Sequence, residues 1–263
     1  MFRLILIATL VLFTPLALAI ELPKAVKACV TKNSRSTSSV QSIELRSKDR
    51  RGYEQVLRAN SYVKRSPGKK ARIMMHFNEP FDMRGARFLI IEKSPRNDMY
   101  IYMPGLMVVR KITSKRISSS ILGTDFSYED YERLHGLLSG LRSEQAADAK
   151  IGKRKVHVIN SYPKAGSGYD KITTHIDIKT CVALKTELFG KNGKLRKILT
   201  VDARDVHRHG KIYVPHRLLM RDLRDKTETR MIVEKIKIDV PLEDSLFDPK
   251  QLKKVKLPAT QAD

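Results

Sequence analysis

Residues 171–178 have the sequence KITTHIDI, in which isoleucine at 172, 176 and 178 alternates with charged or polar residues. A period of two is typical of a β-strand with one buried face and one wet face. The same pattern returns in 232–240, where Glu234 interrupts it. The two stretches predict an antiparallel sheet with one apolar face.

A different pattern occurs in 87–92, where Phe88, Leu89, Ile90 and Ile91 follow one another. A continuous apolar run suits a strand that is covered on both faces. Something apolar is therefore expected to cover this part of the sheet.

Short runs rich in Val, Ile, Tyr and Thr recur along the chain and are separated by turn signals. The strongest signal is Asn192-Gly193, because both residues tolerate the positive φ angles of a two-residue hairpin. About 11 to 12 strands are predicted: 40–47, 53–64, 71–77, 86–92, 98–103, 107–113, 151–161, 170–178, 182–189, 195–205, 211–221 and 228–239. Such a meander must close or curl to hide its edges.

Helices are expected in two places. Residues 22–33 are compatible with a short helix, and 126–149 is the one insertion without β character. In it, Ser127 and Asp130 give a helix-start signal. Leucines recur there at helical spacing, namely Leu134, Leu137, Leu138 and Leu141. One or two short helices are predicted there, whereas the basic tail 250–263 is expected to be loose.

The N-terminus has the features of a signal peptide. Arg3 precedes an apolar stretch of about ten residues, and Ala17-Leu18-Ala19 is a small-residue cleavage site. We expect cleavage after Ala19, which leaves 20–263 as a single domain in the periplasm. No composition shift or linker divides that part of the chain.

The chain is strongly basic, with 51 Lys and Arg against 28 Asp and Glu and a formal net charge of +23. Such a charge gathers polyanions at long range. Because the chain is expected to be secreted, nucleic acid is not its expected partner. Anionic membrane surfaces, lipopolysaccharide-like polyanions and acidic proteins remain, beside the alternative that the charge only keeps the protein in solution.

Both cysteines, Cys29 and Cys181, lie in the expected mature part of the chain. An oxidising compartment favours their pairing, with two buried free thiols as the alternative. A disulfide would close a loop of about 150 residues and contribute roughly 4 to 5 kcal/mol in the chain-entropy model.

No motif for catalysis is present. The sequence holds no serine nucleophile elbow, zinc-protease helix or phosphate-binding glycine loop. Among seven histidines only His207 and His209, with Asp205, have a spacing that suits a metal, and chance placement in a basic turn explains it better. We therefore predict neither an enzyme nor a metal or cofactor site.

Two stretches carry a resemblance to a known family. The first begins with PFDMRGARFL at 80–89, continues with YIYMP at 100–104, and includes Arg110 and LGTDFSYED at 122–130. The second is 169–184, followed by Asn192-Gly193, Pro215 and the closing segment 241–247.

These residues resemble the outer-membrane lipoprotein-sorting branch of the LolA-like periplasmic carriers. The match extends over nearly the whole chain after the leader, and 123–130 is its most specific part. Thr124 stands where serine is usual, and Tyr100 stands where tryptophan is common. The family-motif positions are Gly85, Pro104, Arg110, Gly123, Asp125, Phe126, Tyr128 and Asp130.

The resemblance implies a mainly β fold: one curved antiparallel sheet forming an incomplete barrel around an apolar cavity, with short helices as plug or lid. It also implies a carrier of lipoprotein acyl chains, lipid or another lipophilic ligand, with an inner-membrane lipid exporter and an outer-membrane acceptor as partners. The rival interpretation is an accessory or structural envelope protein whose cavity is filled by its own side chains.

The residues themselves suggest where a ligand would lie. Flexible methionines suit irregular apolar surfaces, and several of them cluster in 74–107. One face of 99–103 is expected to line the cavity, and the helical insertion is expected to cover it. The candidates are Met99, Ile101 and Met103 or their alternates Tyr100 and Tyr102, with Leu137 and Leu138 in the lid.

The motif 123–130 is expected to have a structural role, with a docking loop for a partner as the alternative. Gly123 is predicted to adopt a backbone conformation open to few other residues. Asp125 is predicted to accept hydrogen bonds from local amide groups.

Overall fold

The computed structural model describes residues 23–33, 37–65, 70–94, 96–137 and 142–258. Over these residues the chain is mainly β, as predicted. One antiparallel sheet of thirteen strands curves without closing, and a separate two-stranded hairpin stands beside it. This agrees with the incomplete barrel that the family resemblance implied.

The elements follow one another along the chain with short connections. They are α1 Lys24–Asn33, β1 Ser38–Lys48, β2 Glu54–Lys64, β3 Arg72–Glu79, β4 Arg87–Ile91, β5 Asp98–Met103, β6 Val108–Lys111, α2 Tyr128–Leu134, β7 Arg142–Ile151, β8 Arg154–Tyr162, β9 Tyr169–Asp177, β10 Ala183–Gly190, β11 Leu195–Val201, β12 Val206–His209, β13 Ile212–Pro215, β14 Arg217–Asp222 and β15 Thr227–Ile238.

The order of strands across the sheet is β6-β5-β4-β3-β2-β1-β15-β14-β11-β10-β9-β8-β7. Most strands pair with the next strand along the chain as a hairpin. Strand β1, however, pairs with β15, so the last strand joins the two halves of the meander. The outer two strands, β6 and β7, are the free edges. In the described part of the chain, no helix has the length and apolar character needed to cross a membrane.

The two faces of the sheet are packed differently. The main core lies on the inner face and includes Phe88 and Ile90. On the outer face, Leu89 packs in a second cluster with residues of 242–255 from the C-terminal segment. This confirms that β4 is covered on both faces, and the C-terminal segment is the cover.

The expectation of a loose tail is therefore wrong for 250–258. Leu252 is fully buried and Val255 nearly so, since both lie against the outer face of β3 to β5. Their apolar side chains pack on the outer face of the sheet, and this contact between distant parts of the chain cannot be predicted from local sequence.

The helical insertion is shorter than predicted. Helix α2 ends at Leu134, and 142–149 belongs to strand β7. That stretch has little apolar periodicity, so its hairpin with β8 decides its conformation through backbone hydrogen bonds. The predicted strand 211–221 is likewise two strands, β13 and β14.

The hairpin at Asn192-Gly193 is confirmed, although four residues rather than two connect β10 and β11. Gly193 has a φ of 69°, and the Asn192 side chain accepts a hydrogen bond from the Lys194 amide at 3.1 Å. The disulfide Cys29–Cys181 is also confirmed, and it ties α1 to the start of β10.

Candidate functional site

The inner face of the curved sheet lines a cavity of about 380 Å³. Its wall is mostly apolar because every second residue of a strand points to the same face. Each of β1, β9, β10, β11, β14 and β15 contributes at least one such side chain: Ile43, Ile176, Leu188, Leu199, Met220 and Val233.

Helix α2 covers one side of the cavity, with Tyr131, Leu134 and His135 on the wall. It begins at a capping box, as the sequence predicted. The Ser127 hydroxyl accepts a hydrogen bond from the Asp130 amide at 3.2 Å, and the Asp130 carboxylate accepts one from the Ser127 amide at 2.9 Å. Reciprocal capping of this kind satisfies two otherwise unpaired amides and fixes where the helix starts.

A buried polar network holds α2 on the sheet. The Lys197 ammonium lies 3.0 Å from the Asp130 carboxylate and donates to the Asp125 carbonyl at 2.6 Å. The Tyr169 hydroxyl donates to Asp130 at 2.9 Å. Burial, reinforced by the charge of Asp130, raises the pKa of Tyr169 well above its usual value, so the phenol stays protonated.

The Asp125 carboxylate accepts hydrogen bonds, but its partners are not the local amides that were predicted. The hydroxyls of Thr227 and Thr229 on β15 both donate to the Asp125 carboxylate, and the bond from Thr229 is 2.6 Å long. The Thr229 hydroxyl also accepts a hydrogen bond from the Asp125 amide at 2.8 Å. Burial raises the pKa of Asp125. The loop before α2 is thus fixed to a distant strand, a contact that sequence spacing does not reveal.

The β12–β13 hairpin covers the other side of the cavity with Ile212, Tyr213 and Val214. The end of α1 holds it in place, since the Asn33 side chain accepts from the Tyr213 amide at 2.7 Å. Asn33 and Cys181 also lie on the wall, so the disulfide borders the cavity.

Two cationic side chains line the cavity near the C-terminal end of α2, Arg65 and Arg133, and Arg133 pairs with Glu129 at 3.3 Å. The Arg65 guanidinium, which lines the cavity, donates to the His135 carbonyl. Burial lowers the pKa of Arg65, and burial with the charge of Arg65 lowers the pKa of His135 to about 3. The imidazole is therefore neutral at pH 7, which keeps this wall suited to apolar contact.

Within the described residues, no group of His, Cys, Asp and Glu is arranged to hold a metal ion. His209 and His216 instead pair with each other, with their Nε2 atoms 2.8 Å apart. The cavity wall offers apolar surface with a few polar atoms, which is the composition of a binding site for a lipophilic molecule.

The cavity wall does not include the residues predicted from the methionine cluster. Met99 is buried in the main core, and Ile101 and Met103 pack against that core. Tyr100 and Tyr102 face the opposite way, onto the C-terminal segment.

The predicted lid leucines are placed as follows. Leu137 is buried in the main core, one residue beyond the wall residue Gly136. Leu138 lies outside the described residues. Most wall residues that the sequence patterns did not single out belong to β1, β2, β8–β11 and β13–β15, and strand alternation was the signal available to find them.

The remaining family-motif residues differ in their surroundings. Gly85 and Gly123 both have a φ of 84°, and a Cβ on Gly85 would lie 3.3 Å from Pro104. This confirms the conformation predicted for Gly123. Phe126 and Tyr128 are buried in the main core. Arg110 is exposed on β6.

Solved structures with a similar fold show the class of fold to which this chain belongs. A domain described as an outer membrane lipoprotein-sorting protein, from Vibrio parahaemolyticus, has a TM-score of 0.80 at 22% identity and covers 88% of this chain and 97% of its own. A LolA superfamily protein from Nitrosomonas europaea has a TM-score of 0.66 at 15% identity, covering 85% and 97%. The chain therefore has the LolA-like fold.

A third structure, a DUF1329 family protein from Desulfovibrio piger, has a TM-score of 0.79 at 19% identity and covers 87% of this chain and 97% of its own. Among curated protein sequences none matches this one. A family model described as "-like: Uncharacterized protein" matches residues 69–254, and the chain belongs to that family.

Proposed function

We propose that this protein is a periplasmic carrier or binding protein for a lipophilic ligand, such as a lipoprotein acyl chain or a lipid, and that it does no chemistry on it. The observation that carries the proposal is the apolar cavity of about 380 Å³ between α2 and the β12–β13 hairpin. That volume is within the range of ligand-binding pockets in proteins.

Apolar burial would supply the affinity. Each methylene taken from water into the cavity contributes about 0.8 kcal/mol, so a chain of ten contributes roughly 8 kcal/mol before the cost of ordering it. His135 on the wall is neutral. The charged wall residues Asp130 and Arg133 are paired with Lys197 and Glu129, which limits the desolvation of charges that would offset this term.

Carriage also needs a route in and out. Helix α2 and the β12–β13 hairpin both cover the cavity without belonging to the thirteen-stranded sheet. Movement of either element would open the cavity while the sheet stays intact. An inner-membrane exporter that loads the ligand and an outer-membrane acceptor that takes it are the partners this role implies.

The test is a titration with a fluorescent fatty-acyl probe on the wild type and two matched variants. Thr174 lines the cavity, whereas its neighbour Thr173 is on the other face of β9. Thr174→Phe should fill part of the cavity and weaken binding by about tenfold, which is the loss of a few buried methylenes. Thr173→Phe should bind as the wild type does.

Native mass spectrometry of protein purified from its own periplasm gives an independent readout, because a carrier should arrive with lipid mass attached. No saturable probe binding and no lipid mass would leave the accessory-protein interpretation. Equal loss of binding in both threonine variants would place the probe outside the cavity.

A further inference from the structure

We propose that one end of the sheet is a docking surface for an anionic lipid membrane. This surface, called here the turn edge, consists of five connections: 49–53, 80–86, 104–107, 191–194 and 223–226, with the first residue of β6. The proposal rests on surface exposure and charge, and it does not require that the cavity binds a ligand.

The turn edge collects exposed large apolar side chains. Seven such residues occur in the described part of the chain, and only Ile178 lies elsewhere. The six on the turn edge are Tyr53, Phe81, Leu106, Met107, Val108 and Leu223, with exposures from 42% to 86%. Phe81 is the most exposed, and burial of a phenylalanine is the usual outcome in a soluble domain.

Strand pairing brings these connections together. Lys48 at the end of β1 pairs with Glu228 at the start of β15, so 49–53 lies beside 223–226. The Leu223 amide donates to the Arg196 carbonyl at 2.7 Å, which brings the start of β11 next to the same turn.

On the other side, the tight approach of Gly85 to Pro104 joins 80–86 to 104–107. The β3 terminus, at Glu79, pairs with Arg58 of β2. The five connections therefore form a continuous border across ten neighbouring strands of the sheet.

The turn edge is also basic. Its connections hold seven exposed Lys and Arg residues against three acidic ones; the basic residues are Arg50, Arg51, Arg84, Lys191, Lys194, Arg224 and Lys226. Two of the acidic residues are engaged locally, since Asp49 accepts the amides of Arg51 and Tyr53 and Asp225 pairs with Arg224. Negatively charged headgroups fit this distribution.

The arrangement fits a bilayer better than a folded partner. The apolar side chains stand at the tips of separate turns, singly at Tyr53, Phe81 and Leu223 and as a run of three at 106–108, and so do not form one flat hydrophobic patch. The single ones each have a basic residue in the same connection. Aromatic and aliphatic tips partition into the headgroup boundary while Lys and Arg contact lipid phosphates.

The chain has no tryptophan, so a single introduced indole reports on one position without background. Phe81→Trp should show a blue-shifted emission on vesicles of phosphatidylglycerol and phosphatidylcholine, and no shift on phosphatidylcholine alone. Ile178→Trp, exposed but outside the turn edge, is the matched control and should not shift. Equal shifts at both positions, or none at Phe81, would overturn the proposal.

Charge is tested by vesicle co-sedimentation. Arg50→Glu/Arg51→Glu changes the turn edge, and Lys150→Glu/Lys153→Glu makes the same net change in exposed residues at the β7–β8 turn. The first pair should weaken binding by about tenfold or more and the second by a few-fold at most. Equal losses would mean that the overall charge, rather than this surface, draws the protein to lipid.

The cavity variant Thr174→Phe separates this proposal from the proposed function. It should lose the acyl probe and still co-sediment with anionic vesicles as the wild type does. Wild-type protein that binds the acyl probe but never binds vesicles would leave the carrier role standing and remove the docking surface, assigning the turn edge to a protein partner.

Discussion

The apolar faces of the two halves of the sheet are covered in different ways. Around β3 to β5, side chains fill the inner face and the C-terminal segment covers the outer face, so Leu89 is fully buried between strands and segment. Around β9 to β11 and β14, the inner face borders a cavity of about 380 Å³. One meander therefore provides both a filled core and a cavity, depending on what covers each face.

The open half is also the half that the disulfide holds. Cys181 lines the cavity, and its partner Cys29 packs with Val26, Ile159 and Ile176 in a small cluster of its own. The disulfide therefore links α1 to the half of the sheet that borders the cavity.

Removal of that link is expected to have the largest effect on stability. Cys29→Ala/Cys181→Ala opens a loop with a sequence separation of 152 residues. The free energy of unfolding should fall by about 4 to 5 kcal/mol in the chain-entropy model. Chemical denaturation of the variant and of reduced wild type should agree. A loss below about 1 kcal/mol would show that packing alone holds the open half.

The comparison itself is tested by one substitution made in each half. Leu89→Ala removes a fully buried side chain from the filled half and should cost about 3 to 5 kcal/mol. Leu199→Ala, on the cavity wall, should cost about 2 kcal/mol, because its side chain already faces a void and makes fewer contacts. Urea unfolding measures both. Equal costs would mean that the cavity wall is as tightly packed as the core.

Helix α2 bridges the two halves and gives the next prediction. Asn97, in the β4–β5 connection, donates to the Glu132 carboxylate, and burial raises the pKa of Glu132 to about 7. The folded state then holds its proton more tightly than the unfolded state does. Stability from this group is present below the unfolded pKa and is lost as pH rises from about 4.5 to 7, by about 1 to 3 kcal/mol.

Glu132→Gln should remove that loss. Between pH 4.5 and 7, the unfolding free energy of the variant should decrease less than that of the wild type, as measured by denaturation at several pH values. Parallel pH profiles for the two proteins would show that Glu132 does not gain its proton on folding.

The smallest effect is expected at a single contact between two hydroxyls, one on α2 and one on β2. The hydroxyls of Tyr131 and Ser61 lie 2.7 Å apart and are buried. Tyr131→Phe should cost about 1 kcal/mol, or somewhat more because Ser61 is left without this partner. The double variant with Ser61→Ala should cost less than the sum of the single ones. Additive costs would mean that the two hydroxyls are not coupled.

Some features were determined by the sequence alone, since they depend on neighbours along the chain. Alternation over 171–178 gave the strand β9, and the apolar run after Arg87 predicted a strand covered on both faces. The Ser127 and Asp130 pair predicted the start of α2, and two cysteines in an expected oxidising compartment allowed a single pairing. The strands and the helix start are local patterns, and two cysteines can form only one disulfide.

The tertiary structure decided what depends on contacts across the sheet. It directed Asp125 to hydroxyls on β15 and packed Leu252 onto the outer face. It also placed the cavity against β1, β9–β11, β14 and β15, and not against β5, which carries Met99. The physical reason is that strand alternation specifies two faces but does not specify which face is concave. That choice follows from the curvature of thirteen paired strands and from which segments return to cover them.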